Sequence, residues 1–342
     1  MTTVSPRRVL LTGAAGFVGF HVTQALLARG VEVLGIDNLT PYYDPALKQA
    51  RLDQLLPREG FAFRPLDIAD YDGLQDAFAT FRPEAVIHLA AQAGVRHSLE
   101  QPRAYAHSNL DGFLSVLEAC RHHPVAHLIY ASSSSVYGAN AKLPFSEHDG
   151  ADHPVSLYAA TKRANELMAH SYSQLYAIPA TGLRFFTVYG PWGRPDMAYF
   201  KFTKAILEGR PIEVYAEAEM SRDFTYVDDI SEAIVRLTAL PPISGEAGAG
   251  EDPATAAAPW RIYNIGNHTP VRLDRFIAVI EAACGKTAIK RHLPMQPGDV
   301  HTTYADVSDL MARVDFRPDT PIETGIARFV AWYREFYGIP QS

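Results

Sequence analysis

The chain is poor in cysteine, with only Cys120 and Cys284 in 342 residues, each in an apolar helical context and without CxxC or Cys/His ligand spacing. No disulfide framework or metal site follows from such a pair, which reads as buried and reduced in a cytoplasmic protein. Long apolar runs are missing as well: none approaches the roughly 18 residues of a membrane span, so no membrane partner is expected. Positive charge is not in excess, since 31 Lys and Arg stand against 38 Asp and Glu for a net charge of −7. That leaves no basic surface for nucleic acid or anionic lipid. The opening MTTVSPRRVLLTG sets basic residues before a short apolar run, but the run enters a glycine turn and not a cleavage site. It reads as a first strand and not as a signal peptide.

What is present is a large stock of core-forming residues, 47% hydrophobic against 20% charged. Strand-length apolar runs, at 9–11, 31–36, 85–90, 126–131 and 180–186, alternate with segments of helical periodicity such as FVGFHVTQALLARG (17–30) and FLSVLEACRHH (113–123). The alternation predicts βαβ units: an α/β fold with a Rossmann-like, doubly wound parallel sheet. Residues 1–190 form mainly that domain, and 191–342 mainly a smaller α/β substrate-binding cap, with segments at about 226–270 returning to the first domain. Residues 240–259, LPPISGEAGAGEDPATAAAP, hold few large apolar side chains and predict a flexible loop, centred on 241–259. LDRFIAVIEAACG (273–285) reads as a helix closed by Gly285, and 322–338 as a last amphipathic helix.

VLLTGAAGFVGFH sets Gly13, Gly16 and Gly19 directly after the first strand and at the opening of a helix. A pyrophosphate lies against backbone N–H groups at such a helix start, where side chains would obstruct it. Asp37 ends the second strand 18 residues after Gly19, where a carboxylate can take ribose hydroxyls and repel a 2′-phosphate. NAD is therefore expected over NADP. Asp67 and Ile68 follow the third strand, within reach of an adenine amino group, and His88-Leu89-Ala90-Ala91 ends the fourth in small residues that let a cofactor lie on backbone.

Tyr158 and Lys162 stand four residues apart in a helical pattern, SLYAATKRANELMAHSYSQLY, and so share a face. An ammonium beside a phenol favours phenolate, and the same cation can hold a nicotinamide ribose. The strand end SSSSVYG, Ser132 to Gly138, lies 25 residues upstream of Tyr158 when counted from Ser133.

With these motifs the chain resembles the extended short-chain dehydrogenase/reductase family, the nucleotide-sugar epimerases and dehydratases, from Val9 to Tyr337. The resemblance implies catalysis by Ser133, Tyr158 and Lys162. It also implies NAD held by Gly13, Gly16, Phe17, Val18, Gly19, Asp37, Asn38, Asp67, Ile68, Leu89, Ala90, Ala91, Tyr158 and Lys162. Dehydratases and decarboxylases of the family place an acid after the catalytic Thr; Ser134 and Ser135 stand there in this chain, which moves the expectation to epimerisation at C4.

NLTPYYD (38–44), HLAAQAGVRHSLE (88–100), RFFTVYGPWGRPDM (184–197) and PMQPGDV (294–300) are similar to segments of UDP-glucuronate 4-epimerases. That similarity implies a UDP-sugar substrate. Ser134, Ser135, Thr187 and Arg194 would grip its carboxylate, Arg222 its diphosphate, Asp299 its uridine ribose, and Arg96 would add a contact. Gln296 stands where many relatives have a second diphosphate-binding Arg. A UDP-glucose/UDP-galactose 4-epimerase and a non-catalytic NAD-binding sensor share the fold and are the alternatives. A homodimer through helices near 104–122 and 156–176 is implied too.

Overall fold

The computed structural model describes residues 5–215, 220–245, 252–294 and 302–340. Six strands of the first half, β1 (Arg8–Thr12), β2 (Glu32–Asp37), β3 (Phe61–Pro65), β4 (Ala85–His88), β5 (His127–Ser133) and β6 (Ala180–Phe185), pair in parallel. Beyond them come β7 (Thr187–Tyr189), β8 (Ile212–Tyr215) and β9 (Ser221–Tyr226), after which β10 (Trp260–Ile265) returns to β6. The seven-stranded order is β10-β6-β5-β4-β1-β2-β3, so the strand sequence reverses direction between β1 and β4. In open α/β sheets a ligand crevice forms at that reversal, outside the carboxyl ends of the strands.

The helices are α1 (Phe17–Leu27), α2 (Pro45–Leu55), α3 (Tyr71–Phe81), α4 (His97–Glu100), α5 (Pro102–Tyr105), α6 (Gly112–His122) and α7 (Leu157–Tyr176), followed by α8 (Ala198–Leu207), α9 (Val227–Leu237), α10 (Leu273–Cys284), α11 (Ser308–Val314) and α12 (Ile322–Phe336). Alternation along the strands sorts side chains between two layers: Val9, Leu11, Ile87 and Ile129 pack towards α1 and α9, whereas Leu10, Val86 and Leu128 pack towards α3 and α6. The layers leave the sheet buried on both faces. Ser156 caps α7 by accepting the Ala159 N–H at 3.1 Å, a contact worth about 1 kcal/mol, and thereby fixes the turn before Tyr158. Gly285 ends α10 at φ +64°, as its position in the sequence predicts.

The smaller part packs α8, α10 and α12 around Phe200, Phe276 and Phe329. β9 gathers β7, β11 (Pro270–Arg272) and β13 (Thr302–Thr303), while β8 pairs with β12 (Lys290–Leu293). Asp223 is fully buried there and accepts N–H donors from Asn267, His268 and Ala305, so it ties three segments together behind Arg222.

Residues 252–259 form turns and bends along the sheet edge, where Ala254 is completely buried, the Ile262 N–H donates to its carbonyl at 2.9 Å, and the Ala180 N–H donates to the Pro259 carbonyl at 2.9 Å. Residues 246–251 lie outside the described residues. Among the described residues, no helix is long and apolar enough to cross a membrane.

Candidate active site

A cavity of about 1080 Å³ runs over the carboxyl ends of β1, β2, β4 and β5 and into the smaller part. Gly13, Gly16 and Gly19 form its floor where β1 turns into α1. Gly13 sits at φ +78°, and a Cβ there would stand 2.8 Å from the Ala90 nitrogen. At Gly19 a Cβ would come within 2.0 Å of the Gly13 carbonyl oxygen. No side chain caps the first turn of α1, which leaves its positive end for a ligand anion. The turn is thus a cradle that any side chain would fill, and it fits a pyrophosphate.

Asp37 closes β2 at the cavity wall. Its Oδ1 accepts the Leu39 N–H at 2.8 Å and the Lys48 ammonium at 3.4 Å, and both ionic side chains are buried. The sequence reading missed Lys48; its signal was a lysine eleven positions beyond Asp37 on the inner face of α2. Phe17, Val18, Asn38, Ile68, Leu89, Ala90 and Ala91 line the same cavity. Asp67 does not line it: its carboxylate takes the Ala69 N–H at 2.9 Å, the Asn38 amide at 2.9 Å and the His107 ring at 3.4 Å. Burial opposes its charge, but these donors outweigh burial and hold its pKa below the usual carboxylate value.

Beneath Ala90, the Thr12 hydroxyl accepts the Ala90 N–H at 3.2 Å and pairs with His88 Nδ1 at 2.8 Å. Burial, aided by the charge of Lys162, pushes His88 down to about 3 and keeps it neutral.

Ser133, Tyr158 and Lys162 meet in the middle of the cavity. The Ser133 hydroxyl lies beside the Tyr158 phenol and accepts the Ser135 N–H at 3.2 Å. Burial raises the phenol pKa, while the neighbouring Ser133 hydroxyl and the charge of Arg194 pull it down. Here the sequence reading needs amendment. It gave the task of lowering the phenol pKa to Lys162, yet that ammonium is donated to the Ala131 carbonyl at 2.9 Å, and burial pushes it down to about 8.

The four serines divide their tasks. All four line the cavity. The Ser132 hydroxyl is committed elsewhere, donating at 2.5 Å to buried Glu166, which Arg184 holds through two 2.9 Å bonds.

Thr187, Arg96, Arg194 and Arg222 line the end of the cavity towards the smaller part. Arg194 is bound by Asp196 through Nε at 3.0 Å and Nη2 at 2.5 Å. The Arg222 guanidinium donates to the Ser221 carbonyl at 2.9 Å, and Arg96 lies over the Tyr215 ring at 5.6 Å. Lys201, Lys204 and Arg210, which the motif reading did not name, add further cations to this end. Asp299 and Gln296 lie outside the described residues. Among the described residues, no cluster of His, Cys, Asp and Glu could hold a metal ion.

A parallel sheet of this order, with a glycine turn beside a serine, tyrosine and lysine in one cavity, defines a dinucleotide-binding enzyme of the short-chain dehydrogenase/reductase type. Residues 9–247 match the model of the NAD dependent epimerase/dehydratase family, and the chain belongs to that family. A protein of Rhizobium meliloti (strain 1021) named as a probable UDP-glucuronate 4-epimerase is 51% identical over 96% of this chain and 98% of its own length. UDP-glucuronate 4-epimerase 4 of Arabidopsis thaliana is 46% identical over 96% of this chain and 76% of its own length. Among solved structures, UDP-glucuronic acid 4-epimerase from Bacillus cereus in complex with UDP-glucuronic acid and NAD matches with a TM-score of 0.84. That similarity is at 31% identity and covers 96% of this chain and all of that one.

Proposed function

We propose that the chain is an NAD-dependent nucleotide-sugar 4-epimerase acting on a UDP-uronate, converting UDP-glucuronate to UDP-galacturonate through a transient 4-keto sugar. The observation that carries this reading is the cavity wall Ser133-Ser134-Ser135: the hydroxyl beside the Tyr158 phenol is followed by two neutral donors in the place where an acid would be needed for chemistry at C5. NAD, when bound in the glycine cradle, would supply the hydride acceptor and donor for C4.

The protein's own groups do the rest. Ser133 bonds the sugar O4 and relays its proton to Tyr158, a general base whose contribution is typically 10²–10⁴-fold. Lys162 would hold the nicotinamide ribose. Gly13, Gly16, Phe17, Val18 and Gly19 bind the pyrophosphate, Asp37 and Asn38 a ribose, Ile68 the adenine side, with Asp67 behind it holding the Asn38 amide, and Leu89, Ala90 and Ala91 offer backbone.

Oxidation at C4 of a uronate makes a β-keto acid, which loses CO2 most readily when the breaking bond stands perpendicular to the carbonyl plane. A grip by Ser134, Ser135, Thr187 and Arg194 that keeps the carboxylate out of that alignment preserves the sugar. Arg222 holds the diphosphate, Asp299 the uridine ribose, and Arg96 adds a substrate contact. In this division residues 1–190 mainly carry the cofactor and 191–342 the sugar nucleotide.

One finding favours a second reading. Because Arg194 already has a carboxylate partner in Asp196, a neutral sugar would leave that pair undisturbed, as a UDP-glucose/UDP-galactose 4-epimerase requires. Incubation with UDP-glucuronate or with UDP-glucose, without added NAD, followed by separation of the products tests both. UDP-galacturonate from the first and little UDP-galactose from the second is the expected result; the reverse selects the neutral-sugar enzyme.

The chain acts as a cytoplasmic homodimer in this reading. Support comes from Leu114 on α6 and from Leu167 and Leu175 on α7, large apolar side chains left 41%, 54% and 69% exposed on neighbouring helices.

A further inference from the structure

Arg51 has no role in the reading above, yet it is among the most completely buried side chains of the protein. It sits on the inner face of α2, and among the described residues no carboxylate pairs with it. Its five N–H donors are all used. Nη1 donates to the Ala15 carbonyl at 2.8 Å and to the Tyr43 hydroxyl at 2.7 Å. Nε and Nη2 donate to the Trp192 carbonyl at 3.2 and 2.6 Å, and Nη2 also to the Gly193 carbonyl at 3.3 Å.

These carbonyls belong to two different loops. Ala15 lies inside the glycine turn, between Gly13 and Gly16, whereas Trp192 and Gly193 immediately precede Arg194. The second loop is held in a costly conformation, with Trp192 at φ +60°, while the Tyr199 hydroxyl accepts the Arg194 N–H at 3.2 Å. Contacts from α1 run alongside: His21 Nε2 donates to the Pro191 carbonyl at 2.9 Å, and the Phe20 ring lies 5.5 Å from that of Trp192. A guanidinium is suited to this place because its planar fork binds both loops at once; a lysine ammonium, a single point on a flexible stem, cannot span them. Burying the charge is costly, and only neutral carbonyls and Tyr43, through its hydroxyl and its ring, offset it, which marks a group retained for what it joins.

We infer that Arg51 is a positioning residue that makes the glycine turn and the Gly190–Arg194 loop one mechanical unit, so that filling the cofactor cradle orders the loop presenting Arg194 to the substrate. The inference needs the glycine turn to bind NAD but does not depend on which sugar is the substrate. Its test is hydrogen–deuterium exchange on cofactor-stripped protein with and without NAD, comparing wild type with Arg51→Gln and Arg51→Lys. In wild type NAD should slow exchange both at Gly13–Gly19 and at Gly190–Arg194, the latter by at least about fivefold, the lower end of ordinary coupling between sites.

In Arg51→Gln the first protection should remain and the second should vanish; Arg51→Lys, which keeps the charge without the fork, should behave likewise. A merely structural arginine would loosen both loops with or without NAD and leave the NAD-induced difference at 190–194 intact. That result, or absence of NAD protection at 190–194 in wild type, overturns the inference. Should Arg51→Gln fail to fold, Arg51→Lys and the wild-type measurement decide. A failure of the epimerase assay would leave this readout unaffected.

Discussion

Arg194 and Asp196 form a two-toothed ion pair on the cavity wall, and the Tyr42 hydroxyl donates to the same carboxylate at 3.3 Å. Burial and the Asp196 charge raise the Tyr42 phenol to about 12, so it stays a donor to that carboxylate at neutral pH. A substrate carboxylate must therefore share or replace Asp196. Asp196→Asn should release Arg194 and tighten UDP-glucuronate binding, while Arg194→Ala should weaken it by about 10–100-fold, the value of a hydrogen bond to a charged group. Neither should change UDP-glucose binding. Titration calorimetry with both sugars checks this, and equal effects on the two would remove Arg194 from the recognition of the carboxylate. Release of a UDP-4-keto-pentose by Arg194→Ala would show in addition that the grip prevents loss of CO2.

Tyr158→Phe should fold, bind NAD and lose turnover by roughly 10²–10⁴-fold, since only the phenol hydroxyl beside Ser133 is removed. Retention of more than about a tenth of the activity would contradict the role of general base.

Asp37 should make the protein prefer NAD over NADP, and its Lys48 partner changes how strongly. The ammonium spreads part of the carboxylate charge, so Lys48→Met should sharpen the preference and Asp37→Ser should lower it by at least about tenfold. Binding of both cofactors to stripped protein gives the ratios; identical ratios in all three proteins would refute the assignment.

Glu147 is nearly completely buried, where Asn264 donates to it from both its N–H and its side-chain amide. Burial, reinforced by Asp309, pushes its carboxyl up to about 7, against the pull of its own and the Asn264 backbone N–H and of the His148 charge. A raised acid pKa means that the folded state holds the proton more tightly than the unfolded one. The contribution to stability is complete below an ordinary Glu pKa of about 4.3 and disappears as pH rises through about 7. Glu147→Gln should flatten the fall in Tm between about pH 5 and 8, and an unchanged slope would place the effect elsewhere.

Leu114→Asp combined with Leu167→Asp should turn a dimer into a folded monomer in sedimentation velocity, because both side chains are exposed on adjoining helices. A wild-type protein that sediments as a monomer would contradict the proposed homodimer directly.

Much of the sheet was legible in the sequence because its signals are local: the apolar strand runs, the Gly13-Gly16-Gly19 turn and the Tyr158/Lys162 spacing each fall within a few residues. Three features of the site were not. Arg51 and Lys48 read as ordinary polar positions of an amphipathic helix, and only the packing of α2 against two distant loops gives them partners. Asp196 stands two residues from Arg194, but spacing alone does not tell whether an arginine in a loop turns to its neighbour or to a ligand. The burial of Ala254 was hidden for the opposite reason: the composition of 252–259 is that of a linker, and its contacts depend on a sheet edge formed by residues far away in the chain.

That edge has a consequence for how the protein is made. β10 begins 75 positions after β6 ends, yet it supplies the outer hydrogen-bonding partner of Ala180–Phe185. During synthesis the ATGLRF strand must therefore wait with one row of backbone N–H and C=O groups open until the ribosome has passed Ile265. An open edge of this kind is a template for pairing with another nascent copy. Expression yield should accordingly depend on chaperone supply and growth temperature more than on the stability of the finished molecule, and a chain stopped anywhere between Phe185 and Trp260 should accumulate as aggregate.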